Sequence, residues 1–243
     1  MKNQYSLRDT DVIPCQRRGL TGPALYLLTR RTVGHFTWCI AILCSVVFTP
    51  TVSSAAEPHP VVLILGDSIS AAYGINREDG WVALLETRLR SAHPQGRVIN
   101  ASISGETTGG GLARLPRALA EHAPHVVILE LGGNDGLRGY PIKRMQANLQ
   151  QMIDLTLAAK AKPLLVGMQI PPNYGARYTA AFSGAYSALA KTNDIALVRF
   201  LLQDVALKKG WMQSDGIHPT REAQPAMLDA VWPVLAPLLA RGD

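Results

Sequence analysis

The stretch Val61-Val-Leu-Ile-Leu-Gly-Asp-Ser-Ile-Ser70 decides the fold, because an apolar run of five residues ends abruptly at a glycine, a carboxylate and a hydroxyl. An apolar run without alternation fits a strand buried on both faces, as in a parallel sheet. Gly66 allows a sharp turn and leaves Ser68 near the carboxyl end of the strand, where open α/β sheets place their ligands. Ser68 is therefore a candidate nucleophile. A serine hydroxyl is a weak nucleophile at neutral pH and needs a base and an oxyanion site. Taken alone, Gly-Asp-Ser is more often only a turn, so the case depends on what the rest of the chain supplies.

Two further apolar runs, His125-Val-Val-Ile-Leu-Glu-Leu131 and Lys162-Pro-Leu-Leu-Val-Gly-Met168, read as buried strands, with shorter strands at Arg97–Asn100 and Ile195–Phe200. Between them, Trp81, Leu84, Leu85 and Leu89 fall at helical spacing within Gly80–Ser91. Met145, Leu149, Met152, Ile153 and Leu157 do the same within Pro141–Lys160. Ser102–Gly111, with its Gly109-Gly110-Gly111 run, reads as a loop opening a helix to about Ala123. Gly132–Gly136, Pro171–Gly175 and Trp211–Thr220 read as further loops. A helix is expected around Phe182–Lys191, and a last one from about Arg221 that Pro233 and Pro237 should kink or end. Strands alternating with helices imply right-handed crossovers and a parallel sheet covered on both faces. With strand order 2-1-3-4-5, Ser68 and Asn134 become neighbours across the switch point, with Gly105 beside them.

The N-terminal segment stands apart. Residues 36–48 form an uncharged apolar block of 13, preceded by Arg30-Arg31 and followed by Ser53-Ser54-Ala55-Ala56. That is the order of a secretory signal, with cleavage expected after Ala55 or Ala56. The block is short of the ~20 residues a bilayer span needs. The division expected is therefore 1–56, an extension and cleavable signal peptide, and 57–243, the exported domain. The location expected is the periplasm, with no stable membrane span after cleavage. A twin-arginine route is a weaker reading of Thr29-Arg30-Arg31.

Removing residues 1–56 takes away six of 24 basic and two of 18 acidic residues, leaving 18 against 16 and a net charge of +2. Electrostatics then make no case for a nucleic-acid partner. All three cysteines (Cys15, Cys39, Cys44) go as well, which excludes a disulfide framework, a thiol nucleophile and a thiolate metal site from the exported domain. The glycine run at 109–111 is followed by no lysine, so it is no phosphate-binding loop. His122 and His125 are separated by Pro124, and His125 opens a strand, which disfavours a shared metal face. No metal and no cofactor are expected. His218 differs from the other histidines: Asp215 precedes it by three residues, close enough to accept the Nδ1 proton and leave Nε2 free as a base.

Four blocks, Gly66-Asp67-Ser68, Gly105 in a Ser-Gly-Glu loop, Gly132-Gly133-Asn134-Asp135, and Asp215-Gly-Ile-His218, occur in that order along the chain. Together they resemble the four blocks of the SGNH (GDSL) hydrolases, a similarity that spans essentially all of 57–243. The resemblance implies a flavodoxin-like three-layer α/β/α fold with a five-stranded parallel sheet. By motif it implies Ser68 as nucleophile and first oxyanion donor, Gly105 and Asn134 as the other donors, and His218 as the base oriented by Asp215. It also implies acyl ester and acyl thioester substrates, with Leu137 lining the acyl groove. The longer runs, among them Leu131–Gly139, Pro172–Gly175 and Trp211–Pro219, resemble the periplasmic thioesterase, arylesterase and lysophospholipase branch of that family. The chain is expected to act as a monomer. A carbohydrate-ester deacetylase of the same fold and a non-catalytic flavodoxin-like binding module are the alternatives.

Overall fold

A computed structural model describes residues 59–240; the expected signal peptide and the boundary at residue 56 lie outside the described residues. Five parallel strands, β1 (Val61–Gly66), β2 (Arg97–Asn100), β3 (Val126–Glu130), β4 (Lys162–Val166) and β5 (Ala196–Val198), lie in the order β2-β1-β3-β4-β5. The helices are α1 (Trp81–Ala92), α2 (Thr108–His122), α3 (Gly133–Leu137), α4 (Ile142–Ala158), α5 (Ala176–Asn193) and α6 (Gln224–Leu239).

Alternate residues of each strand feed opposite cores. Val62, Ile64, Val126, Ile128 and Leu164 pack under α1 and α6 around Trp81, Leu85, Met227 and Val231. Leu63, Leu65, Val127, Leu129 and Leu165 pack under α2, α4 and α5 around Leu115, Leu149, Phe182 and Tyr186. The architecture is thus the expected three-layer α/β/α sheet, and the continuous apolar runs reflect burial on both faces. Among the described residues no helix is long and apolar enough to cross a membrane.

The structure departs from the sequence reading at three glycine- or proline-rich places. The 109–111 glycines are the first turn of α2 rather than loop. Thr107 caps that turn by accepting from Gly110 N at 3.4 Å. The Asp135 carboxylate accepts from Thr108 N at 2.8 Å and Thr108 Oγ1 at 2.7 Å, a favourable charge at a helix N-terminus. Gly133–Leu137, also expected as loop, is the short helix α3. Finally, α6 runs through Pro233 and Pro237 instead of ending there. Pro225, Asp229, Pro233 and Pro237 form one exposed i,i+4 stripe, so the carbonyls that the two inner prolines leave unpaired face water. In addition, α5 begins at Ala176, six residues before Phe182, because its first turns bury little and carry no apolar period.

Gly66 serves by lacking a side chain rather than by its φ, which is not among the positive ones. A Cβ there would lie 2.5 Å from Glu130 Oε2 and 2.8 Å from both Ser102 Oγ and Ser70 Cβ. Gly66→Ala is expected to cost about 1–3 kcal/mol through overpacking. For a domain of this size that lowers Tm by roughly 2–4 °C per kcal/mol; a thermal melt matching the wild type would show that the site tolerates the methyl group.

Candidate active site

Each polar residue of the site sits at the carboxyl end of a strand or on the loop before α6. Ser68 follows β1 on a turn closed by Ala71 N donating to Asp67 O at 3.0 Å and Tyr73 N donating to Ser68 O at 3.0 Å. His218 Nε2 lies 2.9 Å from Ser68 Oγ, and its Nδ1 lies 2.6 Å from Asp215 Oδ2. The other Asp215 oxygen accepts from the N–H groups of Ile217 at 2.9 Å and His218 at 3.0 Å. These hydrogen bonds, first of all the one from the His218 ring, hold the Asp215 carboxyl down to about 2 although its side chain is 38% exposed. Asp215 therefore stays an acceptor, which keeps the proton of a neutral imidazole on Nδ1 and leaves Nε2 as the basic nitrogen.

The loop carrying His218 is fastened to the Ser68 turn. Gln213 Nε2 donates to Tyr73 O at 2.8 Å and Pro219 O at 3.1 Å, and Gln213 N donates to His218 O at 2.8 Å. The Tyr73 ring lies 4.4 Å, centroid to centroid, from the His218 ring. Neither Tyr73 nor Gln213 was singled out from the sequence: Tyr73 sits in a turn-rich connection and Gln213 in a loop, where single polar or aromatic residues carry no periodic signal.

Gly105 lies in the loop between β2 and α2, in the left-handed region at φ +80°. Its carbonyl accepts from Arg138 Nη2 at 3.2 Å, a contact that ties it to the end of α3. Among the described residues, neither Ser68 N–H nor Gly105 N–H is taken up by a protein acceptor. Asn134 lies in α3 rather than in a loop, with Nδ2 donating to Asp67 Oδ2 at 3.3 Å. Ser68, Gly105, Asn134, His218 and Leu137 all border one cleft of about 600 Å³. All six residues expected from the sequence, including Asp215 behind His218, are thus brought together.

Beneath the site lie two carboxyls to which the sequence assigns no role: Asp67, within the Gly66-Asp67-Ser68 block, and Glu130, in the β3 run. Asp67 and Glu130 are buried, at 2% and 0% exposure. Ser70 Oγ donates to Glu130 Oε2 at 2.6 Å, and Asp67 N donates to the same oxygen at 3.2 Å. Burial above all pushes Asp67 up to about 6. Burial, and then the charge of Asp67, pushes Glu130 well above the ordinary carboxyl range. Glu130 was hidden as the one polar letter near the end of an apolar run. As for the histidines considered for metal, His125 Nδ1 accepts from Val61 N at 3.1 Å.

The sequence matches the model of the GDSL-like Lipase/Acylhydrolase family over residues 64–225. It is 52% identical over 196 residues to "Esterase TesA" of Pseudomonas aeruginosa, covering 81% of this chain and 96% of that protein. It is 45% identical over 204 residues to "Thioesterase 1/protease 1/lysophospholipase L1" of Escherichia coli K12, covering 84% of this chain and 95% of that one. A crystal structure of TesA superposes with a TM-score of 0.71 at 54% identity, covering 73% of this chain and 99% of that one.

The buried pair makes stability depend on pH. Unfolded, Glu130 ionises near its ordinary value of 4.5, whereas in the fold it keeps its proton well above that. The native state then binds more protons than the unfolded one, so this residue's effect is to make stability fall as pH rises. Glu130→Gln has no proton to lose. In denaturant melts from about pH 5 to 8, the stability difference is expected to move in favour of the variant by up to about 1.4 kcal/mol per pH unit. A difference that does not change with pH contradicts a protonated Glu130.

Proposed function

The chain belongs to the GDSL-like lipase/acylhydrolase family, and from that membership we propose that it hydrolyses acyl esters and acyl thioesters through an acyl-Ser68 intermediate. The observation that carries the reading is the line from Asp215 through His218 to Ser68 Oγ, at 2.6 and 2.9 Å, opening into an apolar cleft.

In this reading Ser68 Oγ attacks the acyl carbonyl while His218 Nε2 takes the hydroxyl proton. Asp215 orients the ring and stabilises the imidazolium that results. The carbonyl oxygen becomes an oxyanion facing the N–H groups of Ser68 and Gly105 and the side-chain amide of Asn134. Donors held in place before the reaction stabilise that charge more than they stabilise the substrate. The imidazolium then protonates the departing alkoxide or thiolate, and the C–O or C–S bond breaks. Water, deprotonated by His218, attacks the acyl-serine and releases the carboxylic acid and the free hydroxyl of Ser68.

The relatives named as esterase and as thioesterase and lysophospholipase support this range of leaving groups. The cleft is also lined by Leu137, Met168, Ile170, Phe200 and Ala206. An apolar lining of that extent favours long acyl chains over acetyl, and so the acyl hydrolase over the deacetylase reading. The apolar block at 36–48 supports export to the periplasm, with 57–243 as the released enzyme.

Ser68→Ala is expected to lower kcat by roughly 10³ to 10⁶ on a p-nitrophenyl ester of long acyl chain. Asn134→Ala is expected to cost about 10² to 10³ in kcat, with much smaller changes in KM and Tm. Retained activity in the first variant removes Ser68 as nucleophile. A lowered Tm with near-normal kcat in the second makes Asn134 a structural residue only. Export is checked on the protein recovered from the periplasm, whose N-terminal sequence is expected to begin at Ala56 or Glu57; an intact segment 1–56 on that protein overturns the cleavable signal.

A further inference from the structure

Hydrogen-bond accounting distinguishes the two buried carboxyls. Each oxygen of Asp67 receives one N–H, Oδ1 from Ile69 N at 3.0 Å and Oδ2 from Asn134 Nδ2 at 3.3 Å. Glu130 is satisfied on one side only: Oε2 accepts from both Ser70 Oγ and Asp67 N, while Oε1 is buried without a partner. A bare, ionised oxygen at the end of an apolar strand is strongly disfavoured, and protonation leaves only the much smaller cost of an unpaired neutral group. Two neighbouring carboxyls out of water also resist ionising together.

We propose that Asp67 and Glu130 hold one proton between them, carried by Glu130, and that the resulting Asp67 carboxylate is the positioning group that turns the Asn134 amide nitrogen toward the oxyanion. The proposal rests on the reading of Asn134 as an oxyanion donor. A carboxylate can only accept, so it selects the NH₂ end of the Asn134 amide and rejects the carbonyl end. The same nitrogen carries a second N–H, which remains for the oxyanion. A neutral side chain at 67 could pair with either end of the amide. With the amide reversed, its carbonyl would face the site of developing negative charge. The proton on Glu130 keeps the pair at one negative charge, so the clamp does not place a second one under the oxyanion. The upward displacement of both carboxyls by burial agrees with a pair that shares a proton.

A double-mutant cycle between Asp67→Asn and Asn134→Ala tests the positioning role, since Asp67 also lies within electrostatic reach of His218 and could act through it. Alone, Asp67→Asn is expected to lower kcat by about 10- to 10²-fold, less than the ~10² to 10³ of deleting the donor, with KM and Tm little changed. In the Asn134→Ala background the same substitution is expected to cost less than about 3-fold, because the group it positions is gone. A full Asp67→Asn penalty in both backgrounds, with Asn134→Ala itself costly, overturns this proposal alone. A silent Asn134→Ala overturns the oxyanion reading and this proposal with it. The location of the proton has its own test that needs no change at residue 67. An infrared spectrum of the full-length wild type at about pH 8 is expected to show the carbonyl stretch of a protonated carboxyl that is missing from Glu130→Gln. Absence of that band in the wild type overturns the shared proton.

Discussion

Gly66 and Glu130 are partners at the last rung of the β1–β3 ladder, and the site depends on how closely that rung is packed. Because residue 66 has no side chain, the Glu130 carboxyl reaches across the end of β1 to receive both the Asp67 amide and the Ser70 hydroxyl. Those two bonds bracket Ser68, one residue before it and two after. The neighbouring strand thus adds two anchors to the backbone bonds by which the nucleophile turn closes on itself. The cost is a carboxyl completely out of water, offset by its two donors and by a proton in place of a charge.

The same reversal of strand order brings in the other parts. Ser68 and His218 are separated by 150 positions in the sequence and meet at hydrogen-bond distance. The sheet alone does not set that contact, since the His218 loop follows β5 at the far edge. Gln213 does, by bonding to the Tyr73 carbonyl on the Ser68 turn and to the backbone of its own loop. Arg138 plays the equivalent part for Gly105, linking the loop after β2 to the helix after β3. The turn and loops that carry the reacting groups are therefore each tied to a second segment, which helps hold a site to catalytic tolerance.

The sheet was legible because burial on both faces writes each main strand as a continuous apolar run, and helices such as Trp81–Ala92 announce themselves by a 3.6-residue period. The strand order was not written in the sequence: 2-1-3-4-5 is one of the common doubly wound orders, adopted as an assumption, and the structure has it. Glycine and proline were misread where tertiary contacts overrode local preference. Gly109–Gly111 begin a helix because Asp135 and Thr107 cap it and because Gly111 packs directly against Leu131. Pro233 and Pro237 remain helical because the stripe they occupy faces solvent. Ser68, Gly105, Asn134, Asp215 and His218 were legible through short motifs. Glu130, Tyr73 and Gln213 were not, since what matters about each is a partner about 60 to 145 residues away.

The site contains three carboxyls whose surroundings drive them to different states. Asp215 is solvated and receives a ring N–H and two backbone N–H groups, so it stays ionised to about 2 and can stabilise an imidazolium without taking its proton. Asp67 is buried but has two N–H donors and is displaced only to about 6. Glu130 is completely buried with one bare oxygen, and burial and the charge of Asp67 push it well above the ordinary carboxyl range. Environments that push neighbouring carboxyls apart are how one fold assigns different tasks to the same functional group. The ordering here follows the chemistry each must support: a permanent charge behind the base, a charge that orients the oxyanion donor, and a neutral group beneath the nucleophile turn, where a further charge would oppose the developing oxyanion.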